Sequence, residues 1–464
     1  MNNRITNRCI TLCAMLLMSV MAYARITQSR SIPCVFINTQ NSDSIVSRTD
    51  YLDATMYIVS YGFHGFDDMG SRANPLKIQI RGRGNWTWEN FEKKPYRIKL
   101  DKEDSLLGMA SNKHWALLAH ADDGTGFYRN TVGFEVSRMM EMFFTPHHQP
   151  VELVINGEYQ GLYMLTETVR VGKNRLAITA EDDRLQKSAL IGQGGWLVEF
   201  DNYSGDDQIS LDVTGTGLES FYVTWHTPEL LSVGQQTYLT DQFTAIKDAI
   251  FSTDPASTTW QDYLDIDALA RYCMIAEITS HQEAFFGSCY LYKDAGQTKW
   301  HFGPVWDFGN SLTEYQRDFL WLDNTFGKSI MTEMAKFTAL QDYIRSLWPA
   351  FYSDALLHLD EYVESFANDI RRAAESDAQR WPQYGHSNID DCCAFVKQSL
   401  HTRIEWLNQQ WGTGSTGVIN TPMPQLLMDS NAPAYSIDGI MYPGIQTPNG
   451  KRLIIKGSKK YLVE

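Results

Sequence analysis

The stretch VELVINGEYQGLYMLTETV, Val151 to Val169, is two alternating runs joined by Asn156-Gly157. Asn-Gly suits a two-residue hairpin turn, because both of its positions take positive φ. That hairpin makes the front of the chain a sheet, and the neighbouring segments agree with it. From Pro33 to about Leu100 the pattern alternates, as in LKIQIRGRG and YRIKLDK, and it reads as strands. GWLVEF and FYVTW add further strands beyond the hairpin, and SCYLYKDAGQTKWHFGPV predicts another hairpin around Ala295-Gly296. Helical spacing is found over Tyr128 to Phe144, Gly234 to Phe251 and Ile266 to Ala284. After Thr313 the chain reads as mostly helical, with amphipathic stretches from Phe351 to Glu375 and from Ile389 to Trp411. The expected class is α+β, with a strand-rich front half and a helical back half.

The ends are read separately. Arg4 and Arg8 precede the apolar run Leu12 to Met21, and Ala22-Tyr23-Ala24 follows as a small-residue cleavage site. Residues 1–24 therefore read as a signal peptide, too short to span a bilayer as a stable helix. The expected address is outside the cytoplasm: periplasm, cell surface or extracellular space, with no transmembrane anchor. GTGSTGVINTP, within 412–424, reads as a linker, and residues 425–464 as a small C-terminal β module with two turn signals. Cleavage would leave Cys34, Cys273, Cys289, Cys392 and Cys393, an odd set that cannot form a closed disulfide framework and fits no zinc spacing. Adjacent Cys392-Cys393 read as helix-packing residues. A formal net charge of −15 argues against nucleic acid as partner, since phosphates need a basic field.

Chemistry is concentrated in KWHFGPVWDFGNSL, Lys299 to Leu312. Asp307 follows a strand-like run, Trp300 to Val305, where a carboxylate is held firmly yet stays reachable by a metal ion. The plainer reading is an Asp that caps the next turn. Glu283, at the end of a predicted helix just before this hairpin, could converge on the same metal; taken alone it is an ordinary solvated helix-end residue. Upstream, RGRGNWTWENFEKKPYRIKLDK gathers Arg81, Arg83, Lys93, Lys94, Arg97 and Lys99 in an acidic chain. Arg97 and Lys99 share one strand face and Ile98 and Leu100 the other, which is also how an ordinary solvated face is built. The Gly82/Gly84 pair matches no strict phosphate-loop pattern. Cations for phosphates and a carboxylate for metal are the parts that phosphoryl transfer needs. There is no His-Arg-Asp loop and no Val-Ala-Ile-Lys strand, so Asp307-Phe308-Gly309 is not kinase homology in the usual sense.

Taken in order, RGRGNWTW…KKPYRIKL, WALLAHADDGTGFYRNTVGFEVSRMM, VELVINGEYQGLYMLTETV, GGWLVEFD and SCYLYKD…HFGPVWDFGNSL resemble the spore coat protein H family, the CotH kinases. The likeness runs from about Pro75 to Leu312, in a domain placed at 33–411. The resemblance implies a secreted atypical kinase with a distantly protein-kinase-like, two-lobed domain. It also implies ATP and Mg²⁺ or Mn²⁺ as cofactors and the hydroxyls of an unidentified protein as acceptor. Asp307 matches the family's metal-binding Asp, and Lys94 its basic position suited to phosphates, with Arg81 beside it as a cofactor-binding candidate. Arg129 and Asn130 match a family Arg-Asn pair, and Glu167 a family Glu after the hairpin; Arg129 could equally pair with Glu167. Where the family commonly carries Asn-x-Asp, this chain reads His281-Gln282-Glu283. Glu283 can still coordinate metal, but one extra methylene shifts the oxygens enough to cost roughly a hundredfold in rate. Asp122-Asp123-Gly124 also departs from the residues often found before the Arg-Asn pair. Two other readings stand beside the kinase: an impaired pseudokinase serving as a surface binding or assembly module, and a carbohydrate-associated surface protein.

Overall fold

The computed structural model describes residues 27–201, 205–312, 318–320 and 330–412, together with four short strands between 434 and 463. The expected signal peptide and linker lie outside the described residues. The chain divides into two compact units of interleaved segments. The first takes residues up to 134, then 143–180 and 360–395; the second takes 135–142, 181–359 and 396 onward.

Seven strands of the first unit close into a barrel: β1 (Cys34–Thr39), β2 (Leu52–Val59), β3 (Leu76–Gly82), β4 (Tyr96–Asp104), β5 (Asn112–Leu118), β6 (His148–Ile155) and β7 (Glu158–Glu167). The order around it is β1-β2-β3-β4-β5-β7-β6, and the parallel pairing of β6 with β1 is the closing seam. Alternation fills the interior. Ile37, Met56, Ile80, Ile98, Trp115, Leu117, Leu153 and Leu165 point into one buried cluster, each large aliphatic side chain worth about 1.5–3 kcal/mol when removed from water. The β6–β7 turn is the Asn156-Gly157 pair, with φ of 51° and 77°, and the Asn156 side chain accepts the Thr39 N–H at 2.9 Å.

A second device anchors β7. The final turns of the long helix Thr338–Arg380 belong to this unit, and Asp377 there accepts the Leu162 N–H at 2.7 Å. Lys93 stands 2.7 Å from the same carboxylate oxygen and donates to the Leu162 carbonyl at 2.8 Å. A Cβ at Gly161 (φ 108°) would lie 2.1 Å from Asp377 Oδ1, so only glycine lets the carboxylate approach.

The second unit is built on a five-stranded antiparallel sheet formed by Trp196–Asp201, Gln208–Ser210, Tyr222–Thr227, Cys289–Lys293 and His301–Phe302. Helix Val233–Ile250 starts at a Ser232/Gln235 capping box, and helix Ile266–Ile278 at an Asp265 cap. Inside the unit Glu277 is fully buried and pairs with Arg403 from helix Ile389–Trp411. The four terminal strands pair into a small antiparallel sheet of their own.

The α+β class and the strand-then-helix division hold, and the front sheet is a closed barrel. Three boundaries differ from the sequence expectation. The predicted helix Ile266 to Ala284 stops at Ile278, because Ser280 takes φ 50° and His281 N–H turns back to the Ala276 carbonyl at 2.8 Å. The predicted strand Trp300 to Val305 is reduced to His301–Phe302, before Gly303-Pro304. The predicted helix Tyr128 to Phe144 ends at Met139, with Glu141 left-handed at φ 53°. Cys392 and Cys393 form no disulfide and are half-buried on their helix, in accord with a packing role. Among the described residues no helix is long and apolar enough to cross a membrane.

Candidate functional site

The seven candidate residues fall in both units: Glu283 and Asp307 in the second, Arg81, Lys94, Arg129, Asn130 and Glu167 in the first.

In the second unit, Val305, Trp306 and Phe308 are buried while Asp307 between them is exposed. Its φ of 58° lies in the left-handed region, which a non-glycine residue enters at a cost of about 1 kcal/mol or more. The backbone thus turns the carboxylate outward while its neighbours anchor the loop. Phe308 packs on the ring of buried His281, centroids 5.1 Å apart. Burial pushes His281 down to about 3, so the imidazole is neutral and serves packing. Gly309 keeps space beside Asp307, since a Cβ there would sit 3.2 Å from its Oδ1.

Asn310 joins the two acidic segments. Its carbonyl accepts the Gln282 N–H at 3.2 Å, and its side-chain amide donates to Glu283 Oε2. Leu312 N–H reaches the Thr279 carbonyl at 2.9 Å. The loop carrying Asp307 is therefore laced to the turn carrying Glu283, with Asn310 orienting the Glu283 carboxylate. Sequence reasoning missed Asn310, although its place three residues after Asp307 in a Gly-Asn turn was visible.

In the first unit, the Lys94 ammonium donates to the Trp88 carbonyl and lies over the Trp88 ring, 5.4 Å from its centroid. Neighbouring Lys93 is the buried lysine, seated against Asp377 with Phe127 and Tyr163 rings at 5.1 and 5.2 Å. Burial draws its pKa down and Asp377 opposes the shift. Arg81 donates to the carbonyls of Arg48 and Gly82 and lies over Tyr51.

Arg129 donates Nη1 to the Asp122 carbonyl at 3.0 Å and its backbone N–H to Asp123 Oδ2 at 3.1 Å. Its guanidinium stands 3.7 Å from the Asp123 carboxylate. Burial alone would raise Asp123; His120, Arg129 and the Thr125 hydroxyl outweigh it and hold the carboxyl at about 2. Asn130, in the same helix, is buried. Glu167 is buried and accepts from Arg175 Nη1 at 2.8 Å, from His147 N–H at 3.0 Å and from His147 Nδ1 at 3.1 Å. The considered Arg129–Glu167 pairing is therefore replaced by two others, Arg129 with Asp123 and Glu167 with Arg175, because each acid has a closer cation from its own stretch of chain. The acidic Asp122-Asp123-Gly124 departure acquires a reason: it supplies the counter-ion for Arg129.

Among the described residues, no three His, Cys, Asp or Glu side chains gather as a metal cage. Mg²⁺ usually takes only one or two carboxylates, completing its octahedron with water and phosphate oxygens. Asp307, Glu283 and the amide of Asn310 are hard oxygen donors that suit such a cation when it arrives with a polyphosphate.

The second unit of this α+β chain thus holds the Asp307 loop and the Glu283 turn laced to one another. The chain belongs to the CotH kinase protein family, whose model matches residues 80–407. A comparison with curated proteins gave no match.

Proposed function

We propose that this protein is an exported, metal-dependent kinase that transfers the γ-phosphate of ATP to hydroxyl groups of another protein. In this reading its domain is a distant, two-lobed relative of the protein kinases. The reading rests above all on the Asp307–Asn310 loop, where an exposed carboxylate in a left-handed backbone is tied to the turn that carries a second carboxylate. Asp307 would hold Mg²⁺ or Mn²⁺ and Glu283 would coordinate it or orient the acceptor hydroxyl. A bound cation would supply charge neutralisation to the reacting phosphates. The remaining work falls to this chain: Asn310 fixes the Glu283 carboxylate, and Val305, Trp306 and Phe308 hold the loop from beneath.

One observation favours the pseudokinase alternative, a surface binding or assembly module. Glu283 stands at the family's Asp position and its Oε2 is engaged by Asn310. The deciding experiment is radiolabelled γ-phosphate incorporation by the chain without residues 1–24, in Mn²⁺ and Mg²⁺, beside Asp307→Asn. Incorporation that disappears in the variant supports the kinase; none in either protein, with a generic acceptor present, supports the binding module.

A further inference from the structure

Acids outnumber bases 55 to 40 in this chain, and among the described residues three buried cations have carboxylates beside them: Lys93 with Asp377, Arg175 with Glu167, Arg403 with Glu277, while buried Lys293 donates to the Gly192 carbonyl and the Tyr238 hydroxyl. The outer face of β3, β4 and β5 departs from that rule. Ile78, Ile80, Ile98, Leu100, Trp115 and Leu117 point into the barrel, so alternation sends Arg81, Arg97, Lys99 and His114 outward. Register then sets Arg81 opposite Arg97, and Lys99 opposite His114. Like charges directly opposite one another destabilise a sheet.

Among the described residues no carboxylate lies within ion-pair distance of Arg97, Lys99 or Arg170. Arg81 Nε, Arg97 Nε and His114 Nδ1 are buried without a hydrogen-bond partner there, as is the hydroxyl of Thr168. Thr168 follows Glu167, whose partner across the ladder is Trp115, so the continuing register brings Thr168 to the level of His114. Buried polar atoms are normally satisfied, and several orphans on one face mark a place where a partner belongs. The electrostatics agree. His114 is pushed down to about 3 by burial and then by Arg170, Arg97, Lys99 and Lys113. Arg97 is lowered by burial, opposed by Tyr51, and lowered further by Arg81, Arg170 and Arg83.

We propose that this outer barrel face is a binding site for a phosphate-bearing anion, lined by Arg81, Arg97, Lys99, His114, Thr168 and Arg170. Adjacent guanidinium forks favour a tetrahedral oxyanion over a lone carboxylate, because each fork can donate two parallel hydrogen bonds. A bound phosphate relieves the Arg81–Arg97 repulsion and gives the orphaned donors an acceptor. The source is either a free phosphate anion or a phosphorylated protein segment. The site goes beyond the proposed transfer reaction and needs neither metal nor Asp307.

The test is calorimetric titration and thermal melting in EDTA, with inorganic pyrophosphate and with a phosphoserine peptide beside its unphosphorylated form. Binding is expected to weaken about tenfold or more in Arg97→Gln and in Lys99→Gln, as for loss of one charged hydrogen bond. Asp307→Asn should leave it unchanged. Without anion, Arg97→Gln should melt no lower than the parent, since it removes a repulsion. Pyrophosphate binding alone identifies a free anion as the occupant; added binding of the phosphopeptide, but not its unphosphorylated form, identifies a phosphorylated segment. Absence of anion binding, or equal binding by the parent and both variants, overturns the proposal.

Discussion

Asp307 shows at the scale of one residue an exposed carboxylate set against backbone comfort. Its left-handed φ of 58° suits glycine best. Asp307→Gly should therefore melt at least as high as the parent, gaining up to about 1 kcal/mol from relieved strain, while losing phosphate transfer. A lower melting temperature would mean that the carboxylate holds the loop together. Asp307→Asn keeps the shape and removes the charge; on the proposed kinase reading, transfer should fall about 10²–10³-fold, as when a preorganised electrostatic partner is lost. Glu283→Asp restores the family residue and should raise transfer if the longer side chain is what limits it; unchanged transfer would remove that explanation. His281 carries a pH signature. Its native pKa of about 3 lies below the ordinary 6.5, so between those values the unfolded chain binds a proton that the native chain refuses. Stability must fall as pH drops through that window, by about 1.4 kcal/mol per pH unit at most for this group. His281→Phe, which keeps a ring against Phe308, should flatten that part of the stability–pH curve; an unchanged slope would place the acid sensitivity elsewhere.

Elements are held by a few long-range polar ties, and the Lys93–Asp377 pair is the clearest. Both side chains are 1% exposed, so removing one partner strands a buried charge. Lys93→Met should destabilise by about 3–5 kcal/mol, and adding Asp377→Leu should return part of that loss. Chemical denaturation of the single and double variants measures the coupling; additive losses would show that the two side chains act separately. What could be read from sequence at this scale follows the range of the interactions. The Asn156-Gly157 turn was legible because two residues dictate it. Barrel closure was not, because the β1–β6 seam joins strands more than a hundred residues apart with no turn to mark them. The KKPY pair was seen as basic, yet adjacent letters could not say that Lys93 goes inward to Asp377 while Lys94 stays at Trp88. The segments of Glu283 and Asp307 could be read as flanking one hairpin, but the Asn310 tie between them is a side-chain event inside a loop. Glu277 and Arg403 went unnoticed because they stand 126 positions apart on otherwise ordinary helices.

At the scale of the whole molecule, the motifs that identify the family end near Leu312, while the units they belong to do not. Residues 360–395 complete the first unit and residues 396 onward contribute to the second. A truncation after Leu312 keeps every named motif but deletes Asp377 and Arg403, the counter-ions of buried Lys93 and Glu277. It should be insoluble or rapidly proteolysed, whereas one ending at Trp411 should keep the melting behaviour of the longer chain. Equal protease resistance for both would refute this dependence. The Asp377 clasp also has a bearing on the order of events at the ribosome. The seven barrel strands are synthesised first, and the helix that neutralises Lys93 and caps the Leu162 amide is made some two hundred residues later. The barrel therefore waits without its clasp while nearly half of the chain is made, and gains its native resistance to unfolding only after the helix that carries Asp377 has emerged.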